Sequence, residues 1–267
     1  MLLLALDSSS TASVALARLS PDEHTGYRVE ILASRESEDT RSHAELMAPF
    51  VSEVLQQAQV RPEELDAILT GTGPGPFTGL RAGIMTARTL SFAWSKPLFG
   101  LMSLYALAEH VYADSELNQQ AAGHEFMVAS DARRREIYTA LFSITENGYS
   151  CISGPSVHPA AQAPAVDIYG YGAGLYEQAL SEIGARVQAG EKGSYSALHP
   201  NAEDLLRAAA RIAFSNGFDE SLNALSNNTS ALYLRESDAK VPASMLARAQ
   251  AAGSHKLSSQ KAGASSE

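Results

Sequence analysis

Leu2-Leu3-Leu4-Ala5-Leu6-Asp7-Ser8-Ser9-Ser10-Thr11-Ala12-Ser13-Val14-Ala15-Leu16-Ala17 is an apolar run, an aspartate with four hydroxyl residues, and a second apolar run, a pattern that predicts strand, polar turn, strand. A further strand is predicted over residues 27–35, so the chain opens as a β-meander. The same order returns once. Residues 125–130 and 136–144 read as antiparallel strands around Asp131-Ala132-Arg133-Arg134-Arg135. Strand, aspartate, turn, strand occurring twice implies a duplicated α/β lobe, the repeat lying in element order rather than in matched residues.

Between the two copies, Leu46, Met47, Phe50, Val51, Val54, Leu55 and Ala58 recur at three- and four-residue steps, predicting a helix over residues 42–58 that Pro62 keeps from continuing. Residues 66–70 read as a short strand ending in Gly71-Thr72-Gly73-Pro74-Gly75-Pro76, where glycine permits close backbone approach and proline stiffens the loop. A helix over 78–94 follows, carrying the small residues Ala82, Gly83, Thr86, Ala87 and Ala93, and Lys96-Pro97 ends it. Further elements are a strand at 98–101, a helix at 104–112, a strand at 166–170, a helix at 175–183 and an amphipathic helix at 202–214. The polar stretch 114–123 marks the lobe boundary. The expected organisation is an N-terminal lobe at 1–108 and a C-terminal lobe at 109–235, whose last helix is free to pack back on the first. Residues 236–267 form a tail whose Ala, Ser, Gly, Gln and Lys bury too little surface to offset ordering.

The chain has 267 residues, 45% of them hydrophobic and 19% charged, proportions of a folded globular protein rather than of a disordered, collagen-like or coiled-coil one. Thirty acidic against twenty basic residues give a formal net charge of −10, so the surface as a whole repels nucleic acid and anionic membranes. A stand-alone nucleic-acid binder is disfavoured. The single cysteine, Cys151, forms no intramolecular disulfide and no thiolate zinc site, which fits a reducing compartment. The apolar start reaches Asp7 too soon for a signal peptide or membrane span, so a cytoplasmic protein without membrane contact is expected. Asn227 and Asn228 match the glycosylation pattern, which has no consequence without secretion.

Asp7 at a strand end, with Ser9 and Thr11 after it, could orient a magnesium-bound phosphate, or simply make a polar hairpin turn, which the residue types favour. The loop around Gly73 and Gly75 is not a P-loop, because the lysine and hydroxyl that reach phosphates and magnesium are missing; an anion cradle and a structural turn both remain open. Gly170-Tyr171-Gly172-Ala173-Gly174 lacks the dinucleotide spacing and reads as a packing turn. His124-Glu125 is no zinc-protease motif, since Val128 stands where a second histidine is needed, and His43, His110, His158 and His199 are assigned surface or capping roles. A serine-hydrolase elbow is absent. Arg133-Arg134-Arg135 reads as a solvated turn, with tRNA contact as the minority reading.

Taken together, the segments resemble the bacterial TsaB (YeaZ) family, the partner proteins of tRNA threonylcarbamoyladenosine modification within the actin-like ATPase superfamily, which also holds glycoprotease-like members. The resemblance is carried by Leu4-Ala5-Leu6-Asp7-Ser8-Ser9-Ser10-Thr11, by His43 with Pro49, by Gly73-Pro74-Gly75-Pro76-Phe77-Thr78-Gly79-Leu80-Arg81-Ala82-Gly83, by Asp131-Ala132-Arg133 and by Tyr233-Leu234-Arg235. Pro76 stands where the family usually has serine, and Thr89 where glycine is common. The fold implied is α/β: two actin-like (ribonuclease H-like) lobes, each a mixed β-sheet with flanking helices. The family's catalytic paralogue TsaD binds its metal through an H-x-x-x-H pair after a P-L-I-G-V-N segment; here Pro97-Leu98-Phe99-Gly100-Leu101-Met102 is followed by Ser103 and then Leu107, so no metal and no catalytic residue are expected. The resemblance implies a subunit that binds TsaD and the ATPase TsaE, meets tRNA only through that complex, and pairs with itself when alone. It places the partner face on His43, Leu46, Met47, Phe50, Val54, Arg81, Ala82, Met85, Arg88 and Thr89. It requires no cofactor of this chain, while allowing ATP or ADP with magnesium at the heterodimer interface, near Asp7, Ser9, Thr11, Gly73, Gly75 and Asp131. An independent ATP-dependent kinase or protease-like enzyme of the same superfamily is the alternative.

Overall fold

The computed structural model describes residues 1–24, 26–38, 43–114, 116–190, 194–215, 218 and 222–235. The opening apolar run forms β1 (Leu2–Asp7), which pairs antiparallel with β2 (Ser13–Asp22) and parallel with β4 (Ala67–Gly71). With β3 (Gly26–Glu36) and β5 (Leu98–Leu101) they build a sheet of order β3-β2-β1-β4-β5. The second sheet has the same plan. β6 (Glu125–Asp131), β7 (Glu136–Thr145) and β8 (Gly148–Pro159) form the meander, β9 (Asp167–Tyr169) and β10 (Arg186–Val187) add in parallel, and the order is β10-β9-β6-β7-β8. The duplication predicted from element order therefore holds strand for strand.

Successive side chains of a strand point to opposite faces, and β1, paired on both edges, buries both of its faces. Leu4 and Leu6 join Val14, Leu16 and Ile68 against α1 (His43–Ala58) and α2 (Phe77–Trp94), which supply Met47, Val51, Val54, Leu55 and Ala87. Leu3 and Ala5 turn to the other face, where α6 (Ala202–Phe214) lays down Leu205, Leu206, Ala209, Ala210 and Phe214. The helix that closes the first repeat, α3 (Leu104–Asp114), in turn buries Leu104, Leu107, Ala108 and Val111 against Phe126, Val128 and Phe142 of the second sheet. Each repeat's closing helix thus completes the other repeat's core. The expected lobe boundary at 108/109 falls inside α3, and the expected tail at 236–267 lies outside the described residues.

Three local expectations differ from the structure. β8 was not predicted: it is a sheet edge, where Pro155 is tolerated, and its polar residues and shifted register against β7 hide the alternation. β10 was not predicted either: at two residues it is too short to show an alternation. The helix expected over 175–183 is two short ones, α4 (Tyr171–Leu175) and α5 (Glu177–Glu182), broken at Tyr176, whose phenol is held by Asp131.

Candidate functional site

Parallel pairing brings the carboxyl ends of β1, β4 and β5 side by side, the place where open α/β sheets offer a site. Asp7 ends β1 fully buried. Its Oδ1 accepts from Ser9 N (2.8 Å) and Ser9 Oγ (2.6 Å), and its Oδ2 accepts from Ser103 Oγ (2.5 Å). Ser103 follows β5, also fully buried; its Oγ accepts from Gly73 N (3.0 Å), and its N–H donates to Gly73 O (2.8 Å). Gly71 has no room for a side chain: a Cβ there would sit 1.7 Å from Asp7 Oδ2. Ser8 Oγ donates to Gly79 O (2.7 Å) and accepts from Gly83 N (3.1 Å), entering the α2 ladder between residues four apart, and only the bare Gly83 lets it in. Gly73 and Gly75 are buried in the loop that this network clamps, and Thr11 turns instead to Glu36, donating from Oγ1 (2.9 Å).

The matching turn of the second sheet is built differently. Arg133, Arg134 and Arg135 have φ of 61°, 56° and 64°, a turn of left-handed backbone made from three L-residues, each costing roughly 1–2 kcal/mol. Asp131 Oδ1 accepts from Arg133 N (2.8 Å) and from the Tyr176 hydroxyl (3.1 Å), while Tyr176 accepts from the Arg135 backbone. Arg133 pairs with Asp131 (3.3 Å), and Arg235 donates to Ala132 O (2.6 Å) and pairs with Glu136 (3.2 Å).

Between the turns, His199 Nδ1 shares a hydrogen bond with Ser10 Oγ (2.7 Å), and its ring lies 4.3 Å from that of Tyr171. Tested against a magnesium nucleotide, these residues do not fit. Asp7 is sealed from the surface and engaged by Ser9 and Ser103, Asp131 is engaged by Arg133 and Tyr176, and Ser10 with His199 bridges the space between them. Serine and leucine stand at the two positions where the resemblance sets the paralogue's metal ligands. Ser103 is committed to Asp7 and Gly73, and Leu107 is fully buried among Phe126, Val128 and Phe142.

Burial pushes the His199 imidazole below its usual range; Asp131 opposes the shift and Arg133 adds to it. With its folded pKa below the unfolded value, the unfolded chain takes up this proton first. The contribution to stability is therefore full above pH ~6.5 and is lost as pH falls from there towards the folded pKa. Burial holds the Glu36 carboxyl above its usual range, which works in the opposite sense at lower pH, so the readout is a difference. We expect His199→Gln to flatten the thermal stability profile between pH ~7.5 and ~5.5 relative to the parent; parallel profiles would remove His199 from the account.

On the expected partner face, Met47 and Val54 are corrected: both are fully buried in the first sheet's core and cannot meet another protein. Leu46 and Phe50 are half-buried against the same core, and His43 is the first residue of α1. On α2, Arg81, Met85, Arg88 and Thr89 are exposed and Ala82 is half-buried. Two of these hold the chain's own C-terminal segment: Arg88 Nε donates to Thr229 Oγ1 (2.9 Å) and Arg81 Nε to the Tyr233 hydroxyl (3.2 Å), while Leu232 N reaches Thr72 O (2.8 Å). Met85, 54% exposed, and Phe92, 90% exposed, remain uncovered. Sequence reasoning missed Ser103 as the partner of Asp7, Tyr176 as the anchor of the second turn and His199 as a bridge. No spacing rule links residues 96 or 45 positions apart; the register of β1, β4 and β5 brings Ser103 to Asp7, and the break between α4 and α5 brings Tyr176 to Asp131.

Residues 30–250 match the family described as "TsaD: tRNA N6-adenosine threonylcarbamoyltransferase". An uncharacterised protein of Mycobacterium tuberculosis is 36% identical over 143 residues, which is 52% of this chain and 61% of that protein. The tRNA threonylcarbamoyladenosine biosynthesis protein TsaB of Haemophilus influenzae is 33% identical over 137 residues, 51% of each. The chain thus spans between about half and three fifths of the length of these curated relatives. Among solved structures, a Pseudomonas aeruginosa protein described as similar to the peptidase YeaZ superposes with a TM-score of 0.63 at 30% identity, covering 88% of this chain and 99% of that one.

Proposed function

The chain belongs to the TsaB (YeaZ) branch of the TsaD family, and on that premise we propose that it is a non-catalytic subunit in the formation of threonylcarbamoyladenosine on tRNA. In this reading it docks on the catalytic paralogue TsaD, works with the ATPase TsaE, and acts by binding the paralogue's active conformation better than its inactive one. The observation that carries the reading is the closed Asp7 network: the carboxylate that would hold a metal-bound phosphate instead binds Ser9 and Ser103, so it builds structure rather than chemistry. The uncovered Met85 and Phe92 of α2 support a partner seated there. The chain itself requires no nucleotide.

The test is tRNA modification reconstituted from purified paralogue, ATPase and a source of threonylcarbamoyl-AMP, with and without this protein. Modification should require the protein and survive Asp7→Asn, which keeps the shape and the acceptor for Ser9. Full modification in its absence, or a rate abolished by Asp7→Asn in a folded chain, overturns the reading. Met85→Asp buries a charge at a dry contact and is expected to weaken association with the paralogue by roughly tenfold to a hundredfold. Unchanged affinity in a purified binding assay would move the interface elsewhere.

A further inference from the structure

We infer that the Arg133–Arg135 hairpin tip, with Arg235 beside it, grips the phosphate backbone of single-stranded RNA, and that the recess over Tyr176 takes one of its bases. The inference rests on the tRNA reading above and adds a contact made by this chain itself.

Left-handed backbone is least costly for glycine, and after it for asparagine or aspartate, yet arginine stands at all three positions of the tip. Conformation does not explain that choice, so the side chains must. All three residues are exposed. Their frame is rigid: Asp131 and Tyr176 hold the turn from one side, and Arg235 holds Ala132 from the other. Guanidinium groups carried on a fixed frame match phosphate oxygens in pairs and lose little freedom on binding. The chain as a whole carries a formal net charge of −10, against which three consecutive exposed arginines are a local concentration of positive charge that favours a polyanion at this tip.

Arg135 also lines a recess of about 530 Å³ together with Pro159, Leu175, Tyr176, Ala179 and the acidic Glu182. Leu175 is 46% exposed, and Tyr176 is half-buried with its hydroxyl already engaged, so the recess offers apolar and aromatic surface to a ligand. An arginine tip next to a recess that offers Leu175 and the Tyr176 ring fits a nucleotide whose phosphate and base part company, as they do in an unpaired loop, with the phosphate at the arginines and away from Glu182. An acidic protein segment would use the arginines but leave the recess unfilled.

The experiment measures binding of a fluorescein-labelled anticodon stem–loop RNA to the full chain across a KCl series, with polyglutamate as competitor. The glycine variant Arg134→Gly/Arg135→Gly keeps a residue suited to the left-handed turn. It should melt at or above the parental temperature while binding RNA roughly tenfold or more weakly, its salt slope lower by about 1.4 for two lost contacts. Parental affinity and slope in that variant would overturn the inference, as would polyglutamate displacing the probe more strongly than unlabelled RNA does. The same samples enter the modification assay, which separates the two proposals. A chain dispensable for modification whose RNA binding still depends on the arginines sinks the subunit role and leaves this contact standing. A chain required for modification whose glycine variant binds RNA normally does the reverse.

Discussion

Arg211→Met is expected to destabilise the protein by about 3–5 kcal/mol. Arg211 on α6 donates to both oxygens of Glu109 on α3, from Nη2 to Oε1 (2.6 Å) and from Nε to Oε2 (2.7 Å), and the Tyr149 hydroxyl of β8 adds a third donor at 2.7 Å. Glu109 is 2% exposed. Burial, and then the neighbouring Glu109 carboxylate, hold the Tyr149 phenol well above its usual range, so it stays a donor at any working pH. Methionine removes the compensating charge but leaves the carboxylate in the interior. The variant Glu109→Gln/Arg211→Met should recover much of the loss, because a buried pair replaced on both sides costs far less than one broken on one side. Chemical denaturation of the four proteins of the cycle measures this. Arg211→Met as stable as the parent, or no recovery in the double variant, would show that the pair does not hold the joint between the two closing helices.

Gly71→Ala is expected to cost at least about 4 kcal/mol, which many chains of this size do not survive. The added methyl would lie 1.7 Å from Asp7 Oδ2 and 2.7 Å from Ser103 Oγ, inside the hydrogen bond that joins them. The glycine is a strand residue without positive φ, so alanine brings no backbone strain and the clash stands alone. To clear it, the Asp7 carboxylate must swing away from Ser103 within a fully buried site, which strips acceptors from three donors at once. In an Asp7→Ala background the 1.7 Å clash is gone and only the 2.7 Å contact with Ser103 Oγ remains, which the released serine side chain can relieve by turning, so the same Gly71→Ala change should cost less by about 2 kcal/mol or more. Equal costs in the two backgrounds would place the requirement for Gly71 elsewhere.

Legibility of this protein divides along the range of the forces involved. β1, α1, α2 and α6 were read within a residue or two, because each carries its own period of apolar side chains and its own stop: Pro62 beyond α1, Lys96-Pro97 after α2. The duplication was legible for the same reason, since strand, aspartate, turn, strand is a local pattern whichever residues fill it. β8 was not, because an edge strand interrupted by Gly154-Pro155 carries no clean alternation. Periodicity also marks a buried face without saying what buries it. Met47 and Val54 lie on the stripe where the resemblance sets the partner face, and they close this chain's own core.

By itself, then, the sequence determined where the chain turns, which stretches become strands and helices, and that Asp7 and Asp131 stand at equivalent ends of two repeated units. Those properties follow from side-chain size, polarity and backbone freedom within a few residues. The tertiary structure alone decided what the aspartates do. Ser103 reaches Asp7 because three parallel strands end in register, Tyr176 reaches Asp131 because α4 breaks beside it, and α3 and α6 exchange sheets with Glu109 and Arg211 locked between them. A hydrogen bond or an ion pair acts over about 3 Å regardless of separation along the chain, so partners a hundred residues apart become visible only once the fold has set them side by side.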